Sequence, residues 1–151
     1  GEHSAAIFYQ NGYAGSSAST WMLRVDLKRK GAAVKGDVEV LGANSDLVVE
    51  ATGNVKVIAG TLDVRDDIRI HAGKGSEDGV LTLYDQAYVN ARGADSAIEL
   101  LAFDDIVIGA PVVAGGVAAE EGINWQSAGT SYILVDAGGQ VKVDAPMLAG
   151  A

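Results

Sequence analysis

The sequence predicts an all-β protein that folds as a parallel β-helix, a solenoid with rungs of about 17 residues. Three observations lead to this fold class. Apolar residues alternate with polar ones over short runs, glycine is abundant (20 residues) while proline is scarce (2 residues), and similar segments recur along the chain. Alternation at period 2 is the signature of a strand with one buried face, and glycine-rich turns join short strands.

Four segments align with one another without gaps, and they carry the repeat. In each of them an alternating apolar pair is followed eight residues later by another, as Leu47 and Val49 are followed by Val55 and Val57. Their first apolar positions are 47, 81, 98 and 133, and the steps of 34, 17 and 35 residues indicate the rung length. The aligned segments are residues 45–60, 79–93, 96–110 and 131–145.

Weaker copies fill the remaining places. Residues 62–70 form one such copy, and residues 117–125 form a degenerate rung. The best long-range match aligns residues 106–116 with residues 141–151, a shift of 35 residues that is interpreted as two rungs. Helical character is weak, and the best window, residues 117–122, predicts a turn or two. Small or turn-forming residues between paired strands predict corners at residues 51–54, 102–105 and 137–140.

The repeat divides the chain into two regions. Residues 36–151 carry the β-helix repeats, whereas residues 1–35 depart from the pattern and are predicted to form an N-terminal strand, arm or cap region. Strands are expected there at residues 7–10 and 21–28. The sequence stops just after a Pro–Gly motif, so the last rung is expected to leave a strand edge unpaired. Either more rungs follow, or this edge pairs with another copy.

Charge and composition disfavour several classes of function. The formal net charge of −9 makes nucleic acid an unfavourable partner, because an acidic surface repels phosphate. No apolar run approaches the length of a membrane-spanning helix. Cysteine is absent, which removes disulfides and thiolate chemistry. The first residues lack the pattern of a signal peptide, so the export signal of a secreted protein is expected upstream.

Catalytic and cofactor motifs are not evident. His3 and His71 are the only histidines, and neither belongs to a metal-binding or nucleophilic motif. His71 is therefore predicted to be a solvent-facing or strand-end residue. The sequence predicts no enzyme activity and no cofactor, with Ca²⁺ as the one alternative.

Two aspartate pairs precede Ile-x-Ile strands, at what is interpreted as the same corner of the rung. They are Asp66–Asp67 and Asp104–Asp105. Aspartate forms turns by bonding the local backbone, which is the simplest interpretation. Stacked carboxylates also suit a weak Ca²⁺ site, in which all four would be ligands. A third alternative is a polysaccharide-cleaving β-helix with catalytic carboxylates. Its nearby basic candidates are Arg65, Arg69 and Arg92.

The only basic cluster, residues 27–36, is predicted to be a solvated turn or to pair with the acidic face of a neighbouring subunit.

The units SAIELLAFDDIVIGA and SYILVDAGGQVKVDAP resemble the repeats of filamentous-haemagglutinin-like giant exoproteins. This resemblance covers residues 36–151. It implies a long right-handed β-helix, export, exposure at a bacterial surface and an adhesive or filament role, and it implies no catalytic residues. A weaker resemblance, to bactofilins, implies a cytoskeletal β-helix that polymerises end to end.

The leading functional hypothesis is therefore a structural, self-associating extracellular segment whose partners are copies of itself. Assembly would proceed head to tail or by strand donation. An adhesin segment that binds glycans or a host protein is the second hypothesis, and the polysaccharide-cleaving enzyme is the third.

Overall fold

A computed structural model describes residues 4–8, 12–13, 21–24, 31–40, 46–75, 77–93, 95–119, 122–127 and 130–149. These residues form an all-β structure, as the sequence predicts. They contain no helix, and so none that is long and apolar enough to cross a membrane. The strands are β1 (Ser4–Phe8), β2 (Gly12–Tyr13), β3 (Trp21–Arg24), β4 (Gly31–Lys35), β5 (Val38–Val40), β6 (Leu47–Ala51), β7 (Val55–Val64), β8 (Ile68–Ala72), β9 (Leu81–Ala91), β10 (Ala97–Ala102), β11 (Ile106–Ile108), β12 (Val112–Ala114), β13 (Gly116–Ala119), β14 (Gly122–Ser127), β15 (Tyr132–Ala137), β16 (Val141–Val143) and β17 (Met147–Leu148).

Most strands belong to two parallel sheets that the chain visits alternately. The ten-stranded sheet follows the path β1-β4-β7-β9-β11-β16, with β2, β5, β12 and β17 alongside, and the five-stranded sheet has the order β15-β10-β8-β6-β3. Two parallel strands that are neighbours in one sheet need a crossover connection. Here that connection includes a strand of the other sheet. Each circuit of the chain adds a layer to both sheets. This arrangement fits a β-solenoid.

The strand registers correct the predicted rung of about 17 residues. Ala32, Val55, Leu81, Ile106 and Val141 are paired in succession along the ten-stranded sheet. The steps between these layers are therefore 23, 26, 25 and 35 residues. The sequence match between residues 106–116 and 141–151 is real, because Ile106 pairs with Val141, but its shift is one circuit rather than two rungs.

The error has a geometric cause. Each circuit has three strand positions, two in the ten-stranded sheet and one in the five-stranded sheet, and each position carries the same alternating apolar pattern. The segments whose first apolar positions are 47, 98 and 133 cross from the five-stranded to the ten-stranded sheet. The apolar pairs of the segment whose first apolar position is 81 both lie within β9. The step of 17 residues, from Leu81 to Ile98, therefore joins a strand of the ten-stranded sheet to a strand of the five-stranded sheet. It advances by two of the three strand positions and does not complete a circuit.

The segment predicted to be a degenerate rung is an insertion. β13 and β14 pair with each other in antiparallel fashion and form a separate two-stranded sheet. The predicted helical turn at residues 117–122 is also wrong where the chain is described, because residues 117–119 belong to β13. The hairpin contacts β9 and β12, where Asn90 and Val113 are fully buried although the alternation points them away from the core. The hairpin lies within the step of 35 residues from Ile106 to Val141 and accounts for its greater length.

The core lies between the two sheets and consists mainly of the apolar pairs, both members of which face inward. The pattern along β10 alternates between half-buried and buried positions, so the predicted strand periodicity is confirmed. The largest side chains of this core, all almost fully buried, include Leu47, Leu62, Ile68, Ile70, Leu81, Leu83, Ile98, Leu100, Ile106 and Ile108.

The described strands of the N-terminal region join the same stack. β1 pairs in parallel with β4, β2 with β5, and β3 with β6. β1 and β3 overlap the strands expected at residues 7–10 and 21–28, whose remaining residues lie outside the described part of the chain. His3 and residues 27–30 of the basic cluster lie outside it as well. The boundary at residue 35 stays a prediction.

Candidate functional site on the five-stranded sheet

Three carboxylates meet at the corner that leads into the five-stranded sheet. Asp46 precedes β6, and Asp66 and Asp67 precede β8 in the next circuit. One oxygen from each of the three lies within 4.8 Å of the others. Partial burial and the charges of Asp67 and Asp46 raise the pKa of Asp66 above the ordinary value of an aspartate. The corner therefore concentrates negative charge.

Two of these aspartates also connect one circuit to the next. Asp46 Oδ1 accepts a hydrogen bond of 3.0 Å from the backbone N–H of Asp67. Asp67 Oδ1 in turn accepts one of 2.8 Å from the N–H of Ala97, at the start of β10. The turn interpretation assumed bonds to the local backbone, but these bonds span 21 and 30 residues. The side chains supply acceptors to strand ends of the next layer.

The second aspartate pair occupies a different corner. Asp104 and Asp105 lie between β10 and β11, at the exit from the five-stranded sheet, whereas Asp66 and Asp67 lie at its entrance. Asp104 Oδ2 accepts from the N–H of Gly79 at 2.9 Å, and Asp105 Oδ1 accepts from the N–H of Gln140 at 2.8 Å. The interpretation that both pairs share one corner is wrong. The structure brings the four predicted ligands together as two separated pairs.

The charge at the entrance corner gives a pH-dependent prediction. Because the folded state raises the pKa of Asp66, the free energy of unfolding falls as pH rises from the ordinary carboxyl range to that raised value. Asp66→Asn removes the repulsion from Asp46 and Asp67, so we expect it to stabilise the protein at pH 7 by roughly 0.5 kcal/mol. The gain should vanish below the ordinary carboxyl pKa, where the wild-type side chain is neutral.

Urea denaturation at a series of pH values measures this effect, and Asp85→Asn, which neutralises an exposed carboxylate on β9, is the matched control. A gain at pH 7 no larger than that of the control would contradict the prediction. Repeating the series with Ca²⁺ examines the metal alternative. A site at this corner predicts saturable stabilisation of the wild type that Asp66→Asn removes.

The outer face of the five-stranded sheet carries the other concentration of polar groups. Its side chains alternate with those of the core, and parallel registers align them in rows across the strands. One row contains Val48 and the next contains Glu50. The first continues through Arg69, Glu99 and Leu134, and the second through His71, Leu101 and Asp136.

Ion pairs neutralise two basic groups of this face, Lys74 and Arg69. Glu50 has a side chain only 5% exposed and is paired with the Lys74 ammonium group. Arg69 donates to Glu99 Oε1 at 2.8 Å. A carboxylate as buried as Glu50 needs such a partner, because leaving it unpaired would cost several kcal/mol. Glu50 is not among the candidate functional residues that the sequence predicts.

A further ion pair lies on the ten-stranded sheet. The Arg92 guanidinium donates to both oxygens of Asp63, at 2.8 and 2.6 Å, and this bond raises the pKa of Arg92. Asn90 Nδ2 donates to the same carboxylate at 3.1 Å. Arg69 and Arg92, two of the basic candidates for the enzymatic alternative, are thus each bound to a carboxylate outside the two aspartate pairs.

Two depressions open on the outer face. The first, of about 310 Å³, lies at the strand starts, where Arg69, Lys74, Glu99 and Tyr132 contribute to its walls. The second, of about 640 Å³, lies at the strand ends. His71, Leu101, Phe103, Asp104 and Asp136 line it together with Gly73, Gly75, Gly138 and Gly139. We call the second one the Phe103 depression.

His71 lies at the margin of this depression, near the end of β8. It is a strand-end residue, as predicted, but it is half-buried. Burial lowers the pKa of His71 below its ordinary value, and this effect is opposed by the charge of Glu50. The imidazole is therefore neutral at pH 7 and offers one donor and one acceptor.

Comparison with protein-family models, with curated proteins and with solved structures yields no match to this chain.

Proposed function

We propose that this chain is a structural segment of an extracellular bacterial surface or filament protein, and that it associates head to tail with copies of itself. In this proposal the coil is right-handed, as the resemblance to filamentous-haemagglutinin-like exoproteins implies. The observation that carries the proposal is the exposed apolar surface of the last strand layer that the structure describes.

This layer continues the columns of the core. Val141 and Val143 pair with Ile106 and Ile108, which are fully buried because the next layer covers them. Val141 and Val143 have no covering layer in the described part of the chain and are 46% and 48% exposed. A further parallel strand pair would bury them as their neighbours are buried, with about 25 cal/mol of stabilisation per Å² of apolar surface.

The open edges of the two sheets support the same mode of assembly. Among the described strands, β15 and β16 stand at one end of the two paths, and β3 and β1 stand at the other. A second copy placed on one end can therefore extend both sheets at once with parallel strands. Such a contact joins unlike surfaces and does not close, so repetition produces a filament.

The charge distribution favours contact between unlike regions of two copies. Residues 1–35 contain five Lys or Arg and two Asp or Glu, a net charge of +3. Residues 36–151 contain six and eighteen, a net charge of −12. Opposite charge on the two regions favours contact between residues 1–35 of one copy and residues 36–151 of another over contact between like regions.

Sedimentation velocity and negative-stain electron microscopy of the purified chain test this function. We expect filaments with an axial repeat of roughly 30 Å, since six strand layers are spaced at about 4.8 Å. Val143→Asp places a charge on the exposed apolar surface of the last described layer and should convert filaments to monomers. Tyr84→Asp places the same charge at an exposed position of a middle layer and should leave filaments intact. A wild-type chain that stays monomeric at high concentration would contradict the proposal.

A second candidate function, an adhesin segment, is favoured by one observation. Phe103 and Tyr132 are 47% and 51% exposed, and they line the two depressions on the outer face of the five-stranded sheet. Exposed aromatic side chains beside polar groups are typical of recognition surfaces.

A further inference from the structure

The Phe103 depression combines an aromatic side chain with a row of polar groups. Leu101 of β10 lies between His71 of β8 and Asp136 of β15 in the sheet register. Phe103 follows at the end of β10 and is 47% exposed. The depression therefore offers an apolar surface and hydrogen-bonding groups within one concavity, which is the composition of small-ligand sites.

Glycines let the neighbouring backbone lie close to Phe103 without adding a side chain there. A Cβ atom at Gly73 would lie 2.8 Å from the Phe103 Cβ, and one at Gly138 would lie 2.0 Å from the Phe103 carbonyl oxygen. Any larger residue at these positions would displace the corner. Because Gly73 and Gly138 both line the depression, the backbone beside the aromatic side chain carries no side chain that would fill the space.

The charge of the depression is negative. Asp104 and Asp136 line it, and among the residues that the structure describes no lysine or arginine lines it. Two basic groups of the same face, Arg69 and Lys74, are paired with Glu99 and Glu50. The carboxylates here would repel an anionic ligand. They would not repel a neutral ligand, and they would attract one that bears an amine.

We propose that the Phe103 depression binds one unit of a glycan, and that it selects neutral or amino sugars over uronic acids. A pyranose ring has an apolar C–H face that packs against an aromatic side chain, and a rim of hydroxyl groups that needs both donors and acceptors. His71 and the two carboxylates supply them. This site gives the adhesin function a location and a ligand class, and it does not depend on self-association.

Calorimetric titration with three tetrasaccharides, of N-acetylglucosamine, glucosamine and galacturonic acid, tests the site. We expect the first two to bind and the third to bind at least tenfold more weakly. Phe103→Ala should weaken binding about tenfold, which corresponds to the loss of one good aromatic contact. It leaves the net charge unchanged, so a loss of binding cannot come from altered attraction between the acidic protein and the amino sugar.

Two further variants complete the experiment. Tyr84→Ala removes an exposed aromatic side chain from the other sheet and should bind like the wild type. Asp136→Asn should weaken the binding of glucosamine more than that of its N-acetyl form, because it removes a carboxylate that attracts the free amine, while circular dichroism confirms the fold of each variant. Equal binding by Phe103→Ala and the wild type, preference for galacturonic acid, or no binding of any of the three would overturn the proposal. Sedimentation of the same samples reports self-association separately.

Discussion

Leu100→Ala is expected to lower the free energy of unfolding by about 2–5 kcal/mol, the range found for buried leucines in other proteins. Leu100 is fully buried in β10, and its register neighbours Ile70 and Val135 belong to the layers on either side. The substitution removes apolar contacts from the interior and leaves a cavity that parallel strands held by hydrogen bonds on both sides cannot close. Urea denaturation followed by circular dichroism measures the loss.

Leu134→Ala is the matched control. Leu134 occupies β15 of the same sheet, but it points away from the core and is 43% exposed. The same chemical change should therefore cost less than about 1 kcal/mol. Similar losses in the two variants would mean that the inward and outward faces of the five-stranded sheet have been assigned incorrectly.

The alternation of apolar residues was sufficient to predict the strands and their inward faces. Leu47 and Val49, Ile98 and Leu100 are all buried, as their spacing required. Local patterns have this power because the two faces of a strand differ in burial, and burial selects the residue type. Nothing in such a pattern says which strand lies beside which.

The length of the circuit depends on pairing, and pairing is a long-range property. The segments at residues 81 and 98 look alike, yet the first lies within β9 of one sheet and the second begins in β10 of the other. The insertion of β13 and β14 added a second difficulty, because its alternating residues imitate a rung. Only the register, in which Ile98 pairs with Ile133, shows that one circuit spans this insertion.

The candidate site was predictable to a similar extent. The sequence predicts both aspartate pairs between strands but wrongly at one shared corner, and their partners lie a full circuit away, as in the bond from Ala97 N–H to Asp67. Glu50 was not singled out, because a carboxylate after an apolar pair ordinarily faces solvent, and its burial depends on Lys74 and on the neighbouring strands. The Phe103 depression could not be predicted from local patterns, because it forms only where the corners of successive circuits stack.

Gly60→Ala should be among the most damaging single substitutions in the chain. Gly60 has φ of +96°, a conformation that disfavours residues with a Cβ atom, and a Cβ atom there would lie 2.2 Å from the carbonyl oxygen of Gly36 in the adjacent layer. That oxygen belongs to the backbone, so the clash can be relieved only by separating two layers. Nearby, Gly36 N–H donates to the carbonyl of Ala59 at 3.0 Å, a bond that such a separation would break.

We expect a loss of at least about 3 kcal/mol for Gly60→Ala, from strain of about 1–2 kcal/mol together with steric overlap and a lost interlayer bond. Gly75→Ala separates these causes. Gly75 also has a left-handed φ, +70°, but a Cβ atom there would meet nothing within 4 Å, so only the strain remains. Thermal and urea denaturation of both variants should show a much larger loss at Gly60. Equal losses would mean that backbone conformation, rather than the close approach of stacked layers, makes glycine necessary at this corner of the ten-stranded sheet.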